Sequence, residues 1–462
     1  MFIFELVCLN NLINYSLHCK FSKLDSEYKH PRLKYFSREL IRVSLSKEGN
    51  EYEECRKKLV DTLESISYNN SENNKTPIEI ITILARSIDF FQAIGSDLEK
   101  FIQYLFCLTR TKCMYINSVL ECINSLCNQP FSVIVTLMNN GFLNLAFSLF
   151  SFSYPPNVLS DTLSSLSRVA ETCIEYRNSI IDLFSLPMIN RLMTVYLSDS
   201  RHEQCVQLIC SYCLYPLSEQ QTHEAFGLIH KALVTPNPPS HEKAIVSLFR
   251  ALYSNPISAD QFNFLPIVMH YFSDYTEHIC YILGLLTAVP KMPPIIDIHI
   301  IALQISPNNN PKVVQAASWT LSQFAHNQPQ FYQQTNIPKL ITSLCDCYTP
   351  ATYSVKEEIA YAIASLSTLL NEIEIVELSR NNILEVFCTL LTSTNTDTLS
   401  MVIDLFLRMV ITIEFKDAVS ELYIKLDQFG AISSLQDLCH EPADSAFNLR
   451  GKILNLNQKL SC

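Results

Sequence analysis

The sequence predicts an all-α chain, built as a right-handed superhelical solenoid of about nine to ten short helical repeats, and three observations carry that prediction. Apolar residues recur at helical spacing. In "NNPKVVQAASWTLSQFAHNQPQ", from Asn309 to Gln330, the residues Val314, Ala317, Leu321 and Phe324 are three, four and three apart and form one stripe at 3.6 residues per turn. Segments of this kind repeat: "SVLECINSL" at 118, "TLSSLSRVA" at 162, "CVQLICSYC" at 205, "IVSLFRALY" at 245, "HICYILGLL" at 278, "ASWTLSQFA" at 317, "IAYAIASLS" at 359 and "VIDLFLRMV" at 402. Their starts differ by 44, 43, 40, 33, 39, 42 and 43 residues, and all but one interval lie at or near the period of about 40–47 expected of two- or three-helix units. Polar or proline-marked breaks such as "SYPPN", "TPNPPS" and "SPNNNP" turn the chain between apolar helices, and strand-like alternation is scarce.

Composition narrows the function. The 462 residues are 48% apolar, ample for an extended core. Only 7 glycines are present, and neither G-x-G-x-x-G nor G-x-x-x-x-G-K-[ST] occurs, which argues against the common phosphate-cradling enzymes. No nucleophile, base and orienter stand at interpretable spacing, so neither an enzyme nor a cofactor is expected. A formal charge of −11 disfavours nucleic acid and anionic lipid and suits a basic peptide partner. The 17 cysteines are scattered as in a protein of a reducing compartment. Cys210 and Cys213 form a C-x-x-C near Cys205, but on a helical segment with no second pair, so buried thiols are expected rather than a metal site. Glu5 and the lack of a basic n-region make "MFIFELVCLNNLINYSLHCKF" a poor secretory signal. The longest apolar run, from Ile279 to Pro290, stops at Lys291, short of the roughly 18 residues that span a membrane.

The only tryptophan is Trp319. It lies two residues beyond Ala317, about 200° around the helix, with Gln323 one turn further. The indole is therefore expected to look away from the core stripe of its own helix.

That helix resembles the third helix of an armadillo repeat in the importin alpha family, adaptors that carry proteins bearing basic nuclear localisation signals, where the pattern is A-x-W-x-[IL]-x-N. Further segments resemble the family in the same order. "NNGFLNLAFSLF" from Asn139 is similar to its D-G-G-A-[IV]-P-x-[FL]-x-x-L-L junction, and "EYRNSIIDLFSLPMINRL" from Glu175 to its F-R-D-x-V-I segment. "QFGAISSLQDLCHEPADSAFNLRGKILN" resembles the atypical final repeat. The likeness runs over roughly 60–460. It implies an armadillo solenoid over 60–462, with the final repeat at about 421–460, in a protein of the cytoplasm and nucleus.

Residues 1–59 resemble the importin-beta-binding segment of that family. Arg32, Lys34 and Phe36 match its R-x-[HK]-x-[FY] start, and Ile41 to Leu59 its basic helix. The resemblance implies importin beta as a partner of Arg32, Lys34, Arg38, Arg42 and Lys47, and makes Arg56, Lys57 and Lys58 an autoinhibitory mimic of cargo. The plainer alternative is a solvated amphipathic helix capping the array, since Glu39, Glu48, Glu51, Glu53 and Glu54 dilute the basic charge.

In the family, tryptophans wall slots for lysine and arginine stems, each worth roughly 0.5–2 kcal/mol, while asparagines one turn on hold the peptide backbone. Here the pairs read Leu120 with Asn124, Ser164 with Arg168, Gln207 with Ser211, Ser247 with Ala251, Cys280 with Gly284, Trp319 with Gln323, Tyr361 with Ser365 and Asp404 with Arg408. The resemblance assigns cargo-peptide binding to Trp319, Gln323, Tyr361, Ser365, Asn124 and Leu120. Arg168 and Arg408, if they face the groove, disfavour a cationic ligand locally. Two functions are weighed. One is a nuclear import adaptor that binds basic localisation signals of cargo proteins and links them to importin beta, touching neither nucleic acid nor membrane. The other is a degenerate armadillo-repeat interaction scaffold that has lost signal binding.

Overall fold

Each of the eight recurring segments lies on a helix, and those helices form a row. They are Ile116–Leu126 (α1), Pro156–Thr172 (α2), Ser200–Tyr212 (α3), Pro238–Ser254 (α4), Thr276–Leu286 (α5), Pro311–Asn327 (α6), Tyr353–Ser367 (α7) and Thr396–Glu414 (α8). The computed structural model describes residues 98–110, 116–150, 155–197, 199–293, 296–380, 383–392, 396–414 and 419–434. Among these the chain is all-helical, with no strand. Every row helix packs on the next, from α1 to α8. Other helices form a second layer against the row: Leu98–Arg110 packs on α1, Leu186–Val195 on α3, Glu219–Val234 on α4, Ile337–Tyr348 on α7 and Glu372–Arg380 on α8.

The helix starts follow local chemistry. The proline-marked breaks are helix beginnings, with Pro156, Pro238 and Pro311 opening α2, α4 and α6, where the missing N–H costs nothing and the fixed φ is already helical. Asp199 caps α3 by accepting from the Arg201 N–H at 2.9 Å, and Asn310 caps α6 by accepting from the Lys312 N–H at 3.0 Å. Gly141 joins Phe131–Asn139 to Phe142–Leu149 at φ +88°, and Gly430 follows Val419–Gln428 at φ +75°. Both sit in the glycine-bearing motifs noted above, and both occupy the left-handed region that a side chain strains.

The helix ends are satisfied from other repeats. Gln328 Nε2, just past α6, donates to the Thr287 and Val289 carbonyls beyond α5, at 2.9 Å each. On α8, Arg408 Nη1 donates to the Ser367 carbonyl at 2.9 Å and Nη2 to that of Leu370. Ser254 Oγ on α4 donates to the Leu214 carbonyl at 3.2 Å. The last carbonyls of a helix lack partners within it and carry its negative dipole end, so amide and guanidinium donors are well matched to them.

No single helix among the described residues is long and apolar enough to cross a membrane. The bent pair Phe131–Asn139 and Phe142–Leu149 passes by length and composition, but Val133, Ile134, Leu137, Phe142, Leu145 and Leu149 are buried in the core. Residues 1–59, with Arg32, Lys34, Arg38, Arg42, Lys47, Arg56, Lys57 and Lys58, lie outside the described residues. So does most of the final repeat, of which only residues up to 434 are described.

Candidate protein-interaction face

The expectation for Trp319 is corrected by packing. Its side chain is 4% exposed, and its ring lies 5.4 Å from that of Tyr281 on α5. On α6 every residue from Ala316 to Ala325 is buried, so the helix is covered around its whole circumference. A direction 200° from the core stripe is the flank toward the neighbouring row helix, not toward solvent, because a helix stacked on both sides has little free face. Gln323, at 6% exposure, follows the indole inward.

Several other paired positions are also covered. Leu120, Ser211, Ser247, Ala251, Cys280, Gly284 and Ser365 are buried. At most of these positions the side chain is small, and at Gly284 the absence of a side chain lets the Trp319 ring lie against α5. The small residue at position 284 was the sequence signal for that close approach.

What stays accessible is polar. Asn124 is half-buried, and its Oδ1 accepts from Ser164 Oγ on α2 at 3.4 Å. Tyr361 is half-buried, and its ring stands 5.6 Å from that of His326, an exposed residue on α6. Ser365 Oγ lies 3.1 Å from His326 Nε2 and donates to the Tyr361 carbonyl at 2.7 Å. The structure thus brings Tyr361 and Ser365 together with a histidine that sequence reading passed over. Arg168 is exposed, whereas Arg408 is turned into the end of α7 and offers the face less charge than its position suggests.

Acidic residues stand on α1 and α2. Burial, reinforced by Glu121 on α1, pushes the Asp161 carboxyl on α2 up to about 6. Glu171 is seven residues after Ser164, on the same helical face, and accepts from Arg250 of α4 at 2.8 Å. The thiols of this region are inert: Cys205, Cys210 and Cys213 are fully buried, and burial raises all three, Cys205 to about 12. Among the described residues no group of three or more His, Cys, Asp or Glu is placed to hold a metal ion.

No family model matches the chain, and no curated protein does. Solved structures do match. One of them, a crystal structure of an engineered protein, superposes with a TM-score of 0.63 at 14% identity, covering 88% of this chain and 99% of that one. At that identity the likeness concerns the fold alone.

Proposed function

We propose that this protein is an armadillo-type solenoid acting as a protein-binding adaptor that holds an extended segment of its partner along the row α1–α8. The observation that carries this reading is the row itself, in which helices recurring about every 40 residues pack consecutively, each on the next. Such a row suits an extended chain, whose own residues also repeat at short intervals.

In its narrower form the adaptor serves nuclear import, taking basic localisation signals of cargo proteins and joining them through residues 30–59 to importin beta. Asp161 favours this form, since a carboxylate held up by burial and by Glu121 gains from an approaching cation. Recognition here is led by acidic groups rather than by slots between indoles, because Trp319 is packed against α5.

The test is binding of a fluorescent basic bipartite peptide, and of a neutral peptide of equal length, to the full chain and to a chain lacking residues 1–59. Preference for the basic peptide, strengthened by truncation, supports the import adaptor. Equal binding supports the broader scaffold. Failure of every peptide on both chains removes the proposal. Binding of residues 1–59 to importin beta separates the two forms independently.

A further inference from the structure

The carboxylate of Glu171 is served from two repeats further along the row. Arg250 Nη1 stands 2.8 Å from Glu171 Oε1 across 79 residues of sequence, so the pair passes over α3. Over α3 the same Nη1 donates to the Cys210 carbonyl at 3.3 Å, and Ser211 Oγ lies 3.2 Å from the same carboxylate oxygen. Ser211 has one hydroxyl proton to divide between Glu171 and the Gln207 carbonyl at 3.0 Å, so the carboxylate depends mainly on the guanidinium. Tyr215 fixes the main chain here by donating its hydroxyl to the Glu171 carbonyl at 3.2 Å.

We propose that Glu171, Ser211 and the Cys210 carbonyl form a guanidinium-binding site that Arg250 occupies from within the chain, and that an arginine of a bound polypeptide takes this site when Arg250 is displaced. The proposal rests on the reading of the row as a polypeptide-binding face. The side chains of Arg250 and Glu171 remain 26% and 28% exposed, so the site opens to solvent and a competitor can reach it. The pair is half-buried, and exchange of one guanidinium for another is nearly neutral because it keeps the same charge and the same donors on the same acceptors. The acceptors, a carboxylate and a carbonyl, match the flat multi-donor head of arginine better than the single point of an ammonium. Arg250 thereby acts as a resident competitor, weakening arginine binding at α2–α4 without abolishing it.

The test titrates the full chain with N-acetyl-arginine methylamide, using the lysine analogue as control, and reads affinity by calorimetry or NMR. Arg250→Ala is expected to bind the arginine analogue roughly tenfold or more tightly than the unsubstituted chain, with a smaller gain for lysine. Adding Glu171→Gln should erase the gain. Equal affinities for Arg250→Ala and the unsubstituted chain, or a gain that survives Glu171→Gln, overturn the proposal. Arg250→Gln, of similar reach and uncharged, serves the same comparison if the alanine variant does not fold. An analogue that binds Arg250→Ala while arginine-rich peptides bind no variant leaves the site standing and removes the polypeptide-binding reading instead.

Discussion

Trp319 lies directly over Gly284: a methyl group built on that glycine would stand 2.2 Å from Cζ3 of the indole and 2.8 Å from Cε3. The ring therefore fills space on α5 that any side chain would deny it, and Gly284 is required for close approach rather than for backbone freedom. Gly284→Ala should destabilise the chain by about 1–3 kcal/mol, because a rigid ring cannot yield as a flexible chain end can. Since Trp319 is the only tryptophan, its emission should also shift to longer wavelength as the ring is displaced toward water. Unchanged emission and an unchanged thermal midpoint would contradict this packing.

Gln328 is 2% exposed and serves two carbonyls beyond α5 with one amide. Gln328→Ala leaves both without that donor in a buried place, at a cost of about 1–3 kcal/mol. Gln328→Glu should cost more, since it turns a carboxylate onto carbonyl oxygens. Urea midpoints of the two variants, compared with the unsubstituted chain, measure the difference.

His202 is fully buried, with Nδ1 2.8 Å from Ser240 Oγ and no hydrogen-bond partner at Nε2. Burial, with Lys231 and His241 nearby, lowers its pKa below the ordinary 6.5. In the folded chain the ring stays neutral to lower pH than in the unfolded chain, so the stability it contributes is complete above about 6.5 and declines as pH falls below that value. Asp161 acts in the opposite sense: its raised carboxyl makes the folded chain bind a proton first, so its penalty is full above about 6 and is relieved toward 3.8. Stability measured from pH 7.5 to 5 should therefore fall less steeply for His202→Gln than for the unsubstituted chain, and parallel curves would remove His202 from the account.

Asp161→Asn should raise the thermal midpoint at neutral pH, by removing a charge that burial and Glu121 disfavour, while weakening binding of a basic peptide. The two effects have opposite sign. A variant that is more stable and binds the peptide unchanged would show that Asp161 takes no part in recognition.

The helices were legible because their information is local. Apolar residues at three- and four-residue spacing placed all eight row helices, and the intervals of about 40 residues anticipated that each would pack on the next. Prolines read as breaks marked where α2, α4 and α6 begin. The direction of side chains was less legible. An angular argument on one helix identifies its core stripe but does not tell solvent from a neighbouring helix, which is why Trp319 was expected outward.

The sequence by itself determined the helical periods, the repeat interval and the acidic balance, all properties of residues near one another in the chain or summed along it. Only the tertiary structure decided that the indole meets Gly284, that Arg408 turns into a helix end and that Arg250 reaches Glu171 across an intervening helix. These contacts join residues 35 to 79 apart in sequence, and their existence depends on how closely successive helices approach, a distance set by the packed side chains of both.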